Sequence, residues 1–249
     1  MDSLRVLRNT QVIILGVCIA IATITSSVIL SKAFLKFQKS THAVITVTGS
    51  ANKKIASDFI VWDVSFNVRD TDLAKGYRRL SADLEKVKQY LQAKSVKTEE
   101  IVILQVATEQ LYKKDTHSND TTEFTGSRLT QSIEVHSEDV NKATGVSRQI
   151  TELIDQGVQV NSGAPQYLYR KLDELKLEML GAATENAKQR AADMAKATGN
   201  RIGAIRSAKM GVFQIAPVNS NQVSDYGVND TSSWEKKVTA VVSATFGIE

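Results

Sequence analysis

"DFIVWDVSFNV", residues 58–68, decides how this chain folds. Ile60, Trp62, Val64, Phe66 and Val68 alternate with Val61, Asp63, Ser65 and Asn67. A period of two sends the first set to one face of a pleated strand and leaves the second for a mostly polar face. The segment therefore predicts a strand with one buried side, which needs a second layer to cover it. That layer follows at once. Leu73, Tyr77, Leu80, Leu84, Val87 and Leu91 recur at spacings of four and three, the stripe of a helix, with Thr71 or Asp70 placed to cap its start.

Outward from this pair the same two periods alternate. Residues 44–55 read as a strand that breaks at Gly49-Ser50. Residues 101–112 read as another, with Val102, Leu104 and Val106 on one face, and a polar loop leads to a strand carrying Leu129, Gln131, Ile133 and Val135 together. Ser137 is the expected cap of a second helix bearing Val140, Val146, Ile150, Leu153 and Ile154 and closing at Gly157. A short strand at 158–161, a long helical region, a strand from Ile202, a polar loop over 217–233 and a final strand at 236–246 complete the series. Several strand-to-strand connections are too short for a parallel crossover. The pattern predicts one α+β domain, a largely antiparallel sheet with packed helices, in which two lobes remain open as an arrangement.

Before this domain lies Asn9–Ser31, 23 residues without a charge. As a helix it spans about 34 Å, against about 30 Å for the hydrocarbon core of a bilayer. Its apolar residues Val12, Ile13, Ile14, Leu15, Ile19, Ile21, Ile24, Val28, Ile29 and Leu30 are the expected membrane anchor. Ser31-Lys32-Ala33 offers a small-x-small site for a cleaved signal, but the apolar run exceeds the usual 7–15 or so residues of a signal core, which favours an uncleaved anchor. The expected organisation is a short tail (1–8), a transmembrane anchor (9–31), a linker (32–42) and a domain (43–249). Arg5 and Arg8 on one flank are balanced by Lys32, Lys36 and Lys39 on the other, so charge does not orient the helix. A tiny tail before one large domain favours tail inside and domain outside.

The net charge of +4 is carried entirely by these flanks: residues 1–41 hold five basic residues and Asp2, and the rest holds 26 basic and 26 acidic. A neutral domain lacks the clustered bases that nucleic-acid binding requires. Cys18, inside the apolar run, is the single cysteine, so there is neither a disulfide framework nor a cysteine-ligated metal site.

No phosphate loop, dinucleotide fingerprint, zincin helix or nucleophile elbow occurs. His42, His117 and His136 are far apart in sequence. Ser-x-x-Lys occurs at Ser50/Lys53 and Ser233/Lys236, a spacing that activates a serine only when a helix sets the lysine one turn away, and both copies lie at strand edges. The chain offers no catalytic set, no metal site and no cofactor site from sequence.

One segment remains, "AATENAKQRAADMAKATGNRIG", residues 182–203. The stripe entering it runs Leu172, Leu175, Met179, Ala183, Ala187, Ala191 and Met194, large side chains first and small ones after, and Gly199-Asn200 supplies a left-handed stop. An alanine stripe lets a helix approach its neighbour closely. This scaffold helix follows an early Val-x-Gly-x-Ala pattern at Val47, Gly49 and Ala51, and it ends in Gly-x-x-x-Gly at Gly199 and Gly203. With "ITVTGSANKKIASDFIVWDVSFNV" (45–68) and the closing "DTSSWEKKVTAVVSATFGIE" (230–249), the chain resembles the SIMPL-domain family, bacterial envelope proteins that include the YggE-like proteins, over roughly residues 43–247. The resemblance implies an exported or membrane-anchored α+β domain, some of whose relatives form ring-like oligomers, with links to envelope or oxidative-stress physiology and no established catalytic residues.

The expectation is a non-enzymatic protein of the bacterial inner membrane, single-pass, with a cytoplasmic amino terminus and a periplasmic domain. It acts by homo-oligomer formation or by binding an envelope protein partner. An envelope hydrolase built on a Ser-Lys pair is the alternative, and so is a small-ligand or lipid-binding module with an apolar pocket beyond its core.

Overall fold

The computed structural model describes residues 16–34, 43–114, 117 and 120–249. The protein is α+β, with four α-helices and two sheets among these residues. Gly16–Phe34 forms helix α1, 19 residues of mean hydropathy 1.8 with none of that surface buried. It runs past Lys32 to Phe34, beyond the anchor's expected end at Ser31. Val12, Ile13, Ile14 and Leu15 of the expected anchor lie outside the described residues.

The chain forms two compact units. One takes the amino-terminal stretch through Ala51 with Leu180–Gly211 and Ala240–Glu249, and the other takes Asn52–Met179 and Val212–Thr239. The single sheet expected from sequence is two among the described residues, one of five strands and one of six, and the long elements β1 (Val44–Ala56), α4 (Leu172–Ala197) and β11 (Glu235–Ile248) each contribute to both units.

In the larger unit β2 (Phe59–Asp70) pairs antiparallel with β5 (Asp120–Ser137), from Ile60 opposite Ser137 to Asp70 opposite Ser127. Trp62, Val64 and Phe66 are at most 1 % exposed and pack with Leu80, Val87 and Leu91 of α2 (Leu73–Ala93). Ile133 and Val135 of β5 complete that layer, with Ile150 and Leu153 from a 3-10 turn after α3 (Val140–Gln149). The period-two segment is therefore the centre of this core. Truncating such a buried Trp costs about 3–5 kcal/mol.

The helix caps differ from expectation. Asp72, not Thr71 or Asp70, caps α2, accepting from the amides of Ala74 and Lys75. Asp139, not Ser137, caps α3, while the Ser137 hydroxyl takes the Asp139 amide and donates to Glu100. Each aspartate reaches two or three residues forward, the reach that orphaned first-turn amides require. Gly157 closes the 3-10 turn with φ 81°, and Ile154 of that turn is exposed.

Residues 101–112 do not form one strand. They split into β3 (Ile101–Ile103) and β4 (Ala107–Lys114), both paired to β5. Val102 and Leu104 are exposed rather than core. β5 starts at Asp120, well inside the expected loop. Short β6 (Val160–Ser162) and β7 (Gln166–Leu168) add to the far side of β2.

In the smaller unit β11 pairs antiparallel with β8 (Ile202–Met210) and with β1, where Ile248 donates to the Ala43 carbonyl at 2.9 Å. β1 is continuous through Gly49 instead of breaking there. Beyond β8 the chain returns to the larger unit and forms β9 (Gln214–Pro217), which pairs antiparallel with β11 and parallel with the two-residue β10 (Val228–Asn229), so the sheet is mixed.

Candidate functional site

Three places in the fold concentrate unusual contacts: the alanine helix, a buried lysine and a projecting strand pair. Along α4 the buried positions are Leu175, Met179, Ala183, Ala187, Ala191 and Ala195, each at most 3 % exposed. The steps of four keep one face in register, so the seam continues to Ala195, and Met194 stands 54 % exposed beside it. Leu172 is half-buried, and Gly199 sits past the end of the helix at φ 77°. In the smaller unit Gly49 of β1 lies directly under this seam. A Cβ built there would overlap the carbonyl oxygen of Ala183 and the amide nitrogen of Ala187. Two backbones meet here, which explains why Gly and Ala occupy the contact.

The same approach seals the edge of β1. Ala43 turns its carbonyl to β11, so by alternation Thr48 and Ser50 turn their backbone groups outward. Arg190 Nη1 donates to the Thr48 carbonyl at 3.0 Å, and the Ser50 amide donates to Asn186 Oδ1 at 3.1 Å. A free strand edge invites pairing with other chains, and α4 removes that edge here.

Neither Ser-Lys spacing forms a nucleophile pair. Ser50 and Lys53 lie on extended β1, where residues three apart point to opposite faces, and Lys53 Nζ bonds both Glu178 oxygens at 2.7 Å. Lys236 of β11 is only 3 % exposed. Its ammonium donates to the Tyr167 carbonyl, and burial lowers its pKa while the nearby Asp230 charge opposes the shift. Asp230 is pushed up by its own burial, but hydrogen bonds from the Ser232 hydroxyl and amide outweigh that and hold its carboxyl below the usual range. The knot also ties Ser57 to Trp234 by two hydrogen bonds, Ser57 N to Trp234 O and Trp234 Nε1 to Ser57 O. This arrangement fixes a buried charge. His136 pairs with Glu134 at 2.9 Å, His117 lies in the β4–β5 connection and His42 lies outside the described residues. Among the described residues no three His, Cys, Asp or Glu side chains gather as metal ligands.

The third place is the strand pair β4–β5. β2 ends at Asp70, opposite Ser127, so residues 120–126 of β5 pair only with β4. Gly126 marks the root of this arm. Its φ is +143°, and a Cβ there would meet the Asp70 carbonyl oxygen at 3.0 Å. Thr125 is the extra residue of a bulge between the Leu111–Gly126 and Tyr112–Phe124 pairs, and its hydroxyl donates to the Leu111 carbonyl at 2.9 Å. Every residue of β4 is exposed except half-buried Leu111. Tyr112 and Phe124 stack edge to face at 6.1 Å with both rings in solvent. At the base of the arm an open groove of about 600 Å³ is lined by Leu73, Tyr77, Arg78, Val106, Thr108 and Leu129. Leu73 and Tyr77 belong to the α2 stripe read as core from sequence, yet both are more than half exposed and line this groove. The signal for this surface was present as aromatic residues flanking a polar loop, a pattern that composition alone assigns to the loop.

The fold defines an α+β domain that follows an apolar amino-terminal helix. The chain belongs to the SIMPL family, described as a protein of unknown function (DUF541), whose sequence model matches residues 45–246. A search of curated proteins found no match to the chain.

Proposed function

We propose that this protein is a membrane-anchored scaffold of the bacterial envelope whose SIMPL domain works by associating with copies of itself. The observation that carries the reading is the β4–β5 arm, a two-stranded extension exposed on both faces with an aromatic pair in solvent. An isolated two-stranded hairpin is marginally stable in water, so an arm of this kind gains most from a surface outside its own chain. α1 supports the anchoring half, since its length and hydropathy suit a bilayer crossing. The domain then sits on the periplasmic side of the inner membrane. Light scattering on the full-length protein in detergent tests the association, with a multimer expected; a monomer across the accessible concentration range refutes it. Protease added to spheroplasts tests the topology, with degradation of the domain expected and its protection contradicting the assignment.

A second reading, a binding module for an amphipathic anion, is favoured by the groove. Its apolar lining with Arg78 at hand suits an acyl chain ending in a carboxylate or phosphate. Titration of the full-length protein with a fluorescent fatty acid, weakened by Tyr77→Asp, would support this reading. Binding unchanged by that substitution would refute it.

A further inference from the structure

The Thr125 and Thr121 hydroxyls donate to the Leu111 and Lys113 carbonyls. The odd-numbered residues of β4 therefore turn their backbone toward β5, and Gln110, Tyr112 and Lys114 turn theirs outward. No described strand or side chain takes those outward groups.

We propose that this bare edge pairs antiparallel with β4 of a second copy, about a two-fold axis through Leu111. The inference rests on the self-association reading and names its contact. For a two-fold axis normal to the sheet, opposed residues must face the same side, so a residue at the centre opposes itself. Centring on Leu111 sets Glu109 opposite Lys113 of the second copy and Lys113 opposite its Glu109 on one face. On the other face it sets Gln110 opposite Tyr112, both ways. Centring on Gln110 sets Glu109 against Leu111, centring on Tyr112 sets Leu111 against Lys113, and centring on Glu109 opposes like charges. Only the Leu111 register pairs the acid with a base inside the strand, and it extends the Arg128–Glu109 and Lys113–Glu123 ion pairs that each copy already makes between β4 and β5 into one alternating row. Gln110 and Tyr112 then exchange the backbone hydrogen bonds, and Leu111 meets its copy in the closer, non-hydrogen-bonded type of pair. The Tyr112–Phe124 pairs of both copies fall on one face of the joined four-stranded ribbon. The other long edge, β8, carries Arg206 and Lys209 and no acid, so no register of β8 against itself pairs opposite charges.

Cysteine cross-linking in full-length protein tests the register, in a Cys18→Ser background that removes the exposed native thiol. Leu111→Cys is expected to cross-link most chains into dimers under mild oxidation or a short bis-maleimide. Thr108→Cys lies about 20 Å from its copy, six residue steps along the paired strands, and is expected to give less than a tenth of that yield. Co-expressing Thr108→Cys and Lys114→Cys chains is expected to restore the dimer as a heterologous cross-link. Equal yields for Leu111→Cys and Thr108→Cys overturn the register. A multimer in light scattering with no Leu111→Cys cross-link overturns the β4 contact and leaves self-association standing, whereas a monomer overturns both.

Discussion

In β1 the outward carbonyl of Thr48 and amide of Ser50 are taken by Arg190 and Asn186 of α4, whereas in β4 the outward groups of Gln110 and Tyr112 meet no described side chain. The contrast extends to packing. Gly49 and the alanines of α4 bring two backbones into contact with almost no exposed surface, while β4 is solvent-facing nearly throughout. One strand edge is closed by the chain's own helix, and the other is left open. A closed edge serves the fold, and an open one serves association, because a free edge is a template for another strand. Each region therefore predicts a different response to substitution: loss of stability at the seam, loss of assembly at the arm.

The largest effect belongs to Gly49→Ala. Its new methyl must displace the backbone of α4, since Ala183 O and Ala187 N occupy that space, and the expected cost is about 3 kcal/mol or more. Chemical denaturation of the full-length protein in detergent measures it. An unchanged midpoint would show that α4 does not lie against β1 at all. Ala187→Leu comes next, overfilling the same seam at about 1–3 kcal/mol, with the same measurement and the same consequence for the contrast if it is silent.

These two positions show how far the sequence could be read. Trp62 and its alternating neighbours announced the core strand, and the alanine stripe announced a close helix contact, because burial leaves a period in the residues that make it. What Gly49 does was hidden. A glycine in a strand reads as a break, and only the helix crossing above it explains why the strand continues. The arm was hidden for a related reason. Tyr112 and Phe124 lie where polar residues set the local composition, and Leu73 and Tyr77 carry a helical period although no layer covers them. Local patterns report what a residue is suited to pack against, not whether the chain supplies the packing partner.

On the arm the balance reverses. Phe124→Ala breaks the edge-to-face pair and is expected to cost about 1 kcal/mol or less in unfolding free energy, while lowering the multimer fraction several-fold in light scattering. A large loss of stability with assembly intact would erase the distinction between the two regions.

The smallest effect concerns pH at the root of the arm. The Asp72 amide donates to the Asp70 carboxylate, and this bond, helped by Arg79 and opposed by burial, holds its pKa below the ordinary value. A carboxyl with a lowered folded pKa contributes stability that is fully present above its unfolded value of about 3.9 and lost as pH falls through the folded value. Asp70→Asn is expected to flatten that acid limb of the stability profile. The same slope in the variant and the parent would remove Asp70 from the account of the arm's root.

Native mass spectrometry of the full-length protein released from detergent micelles tests self-association most directly. The account predicts a subunit count above one in the parent protein, falling toward one in Phe124→Ala. A parent protein that flies only as a monomer contradicts it.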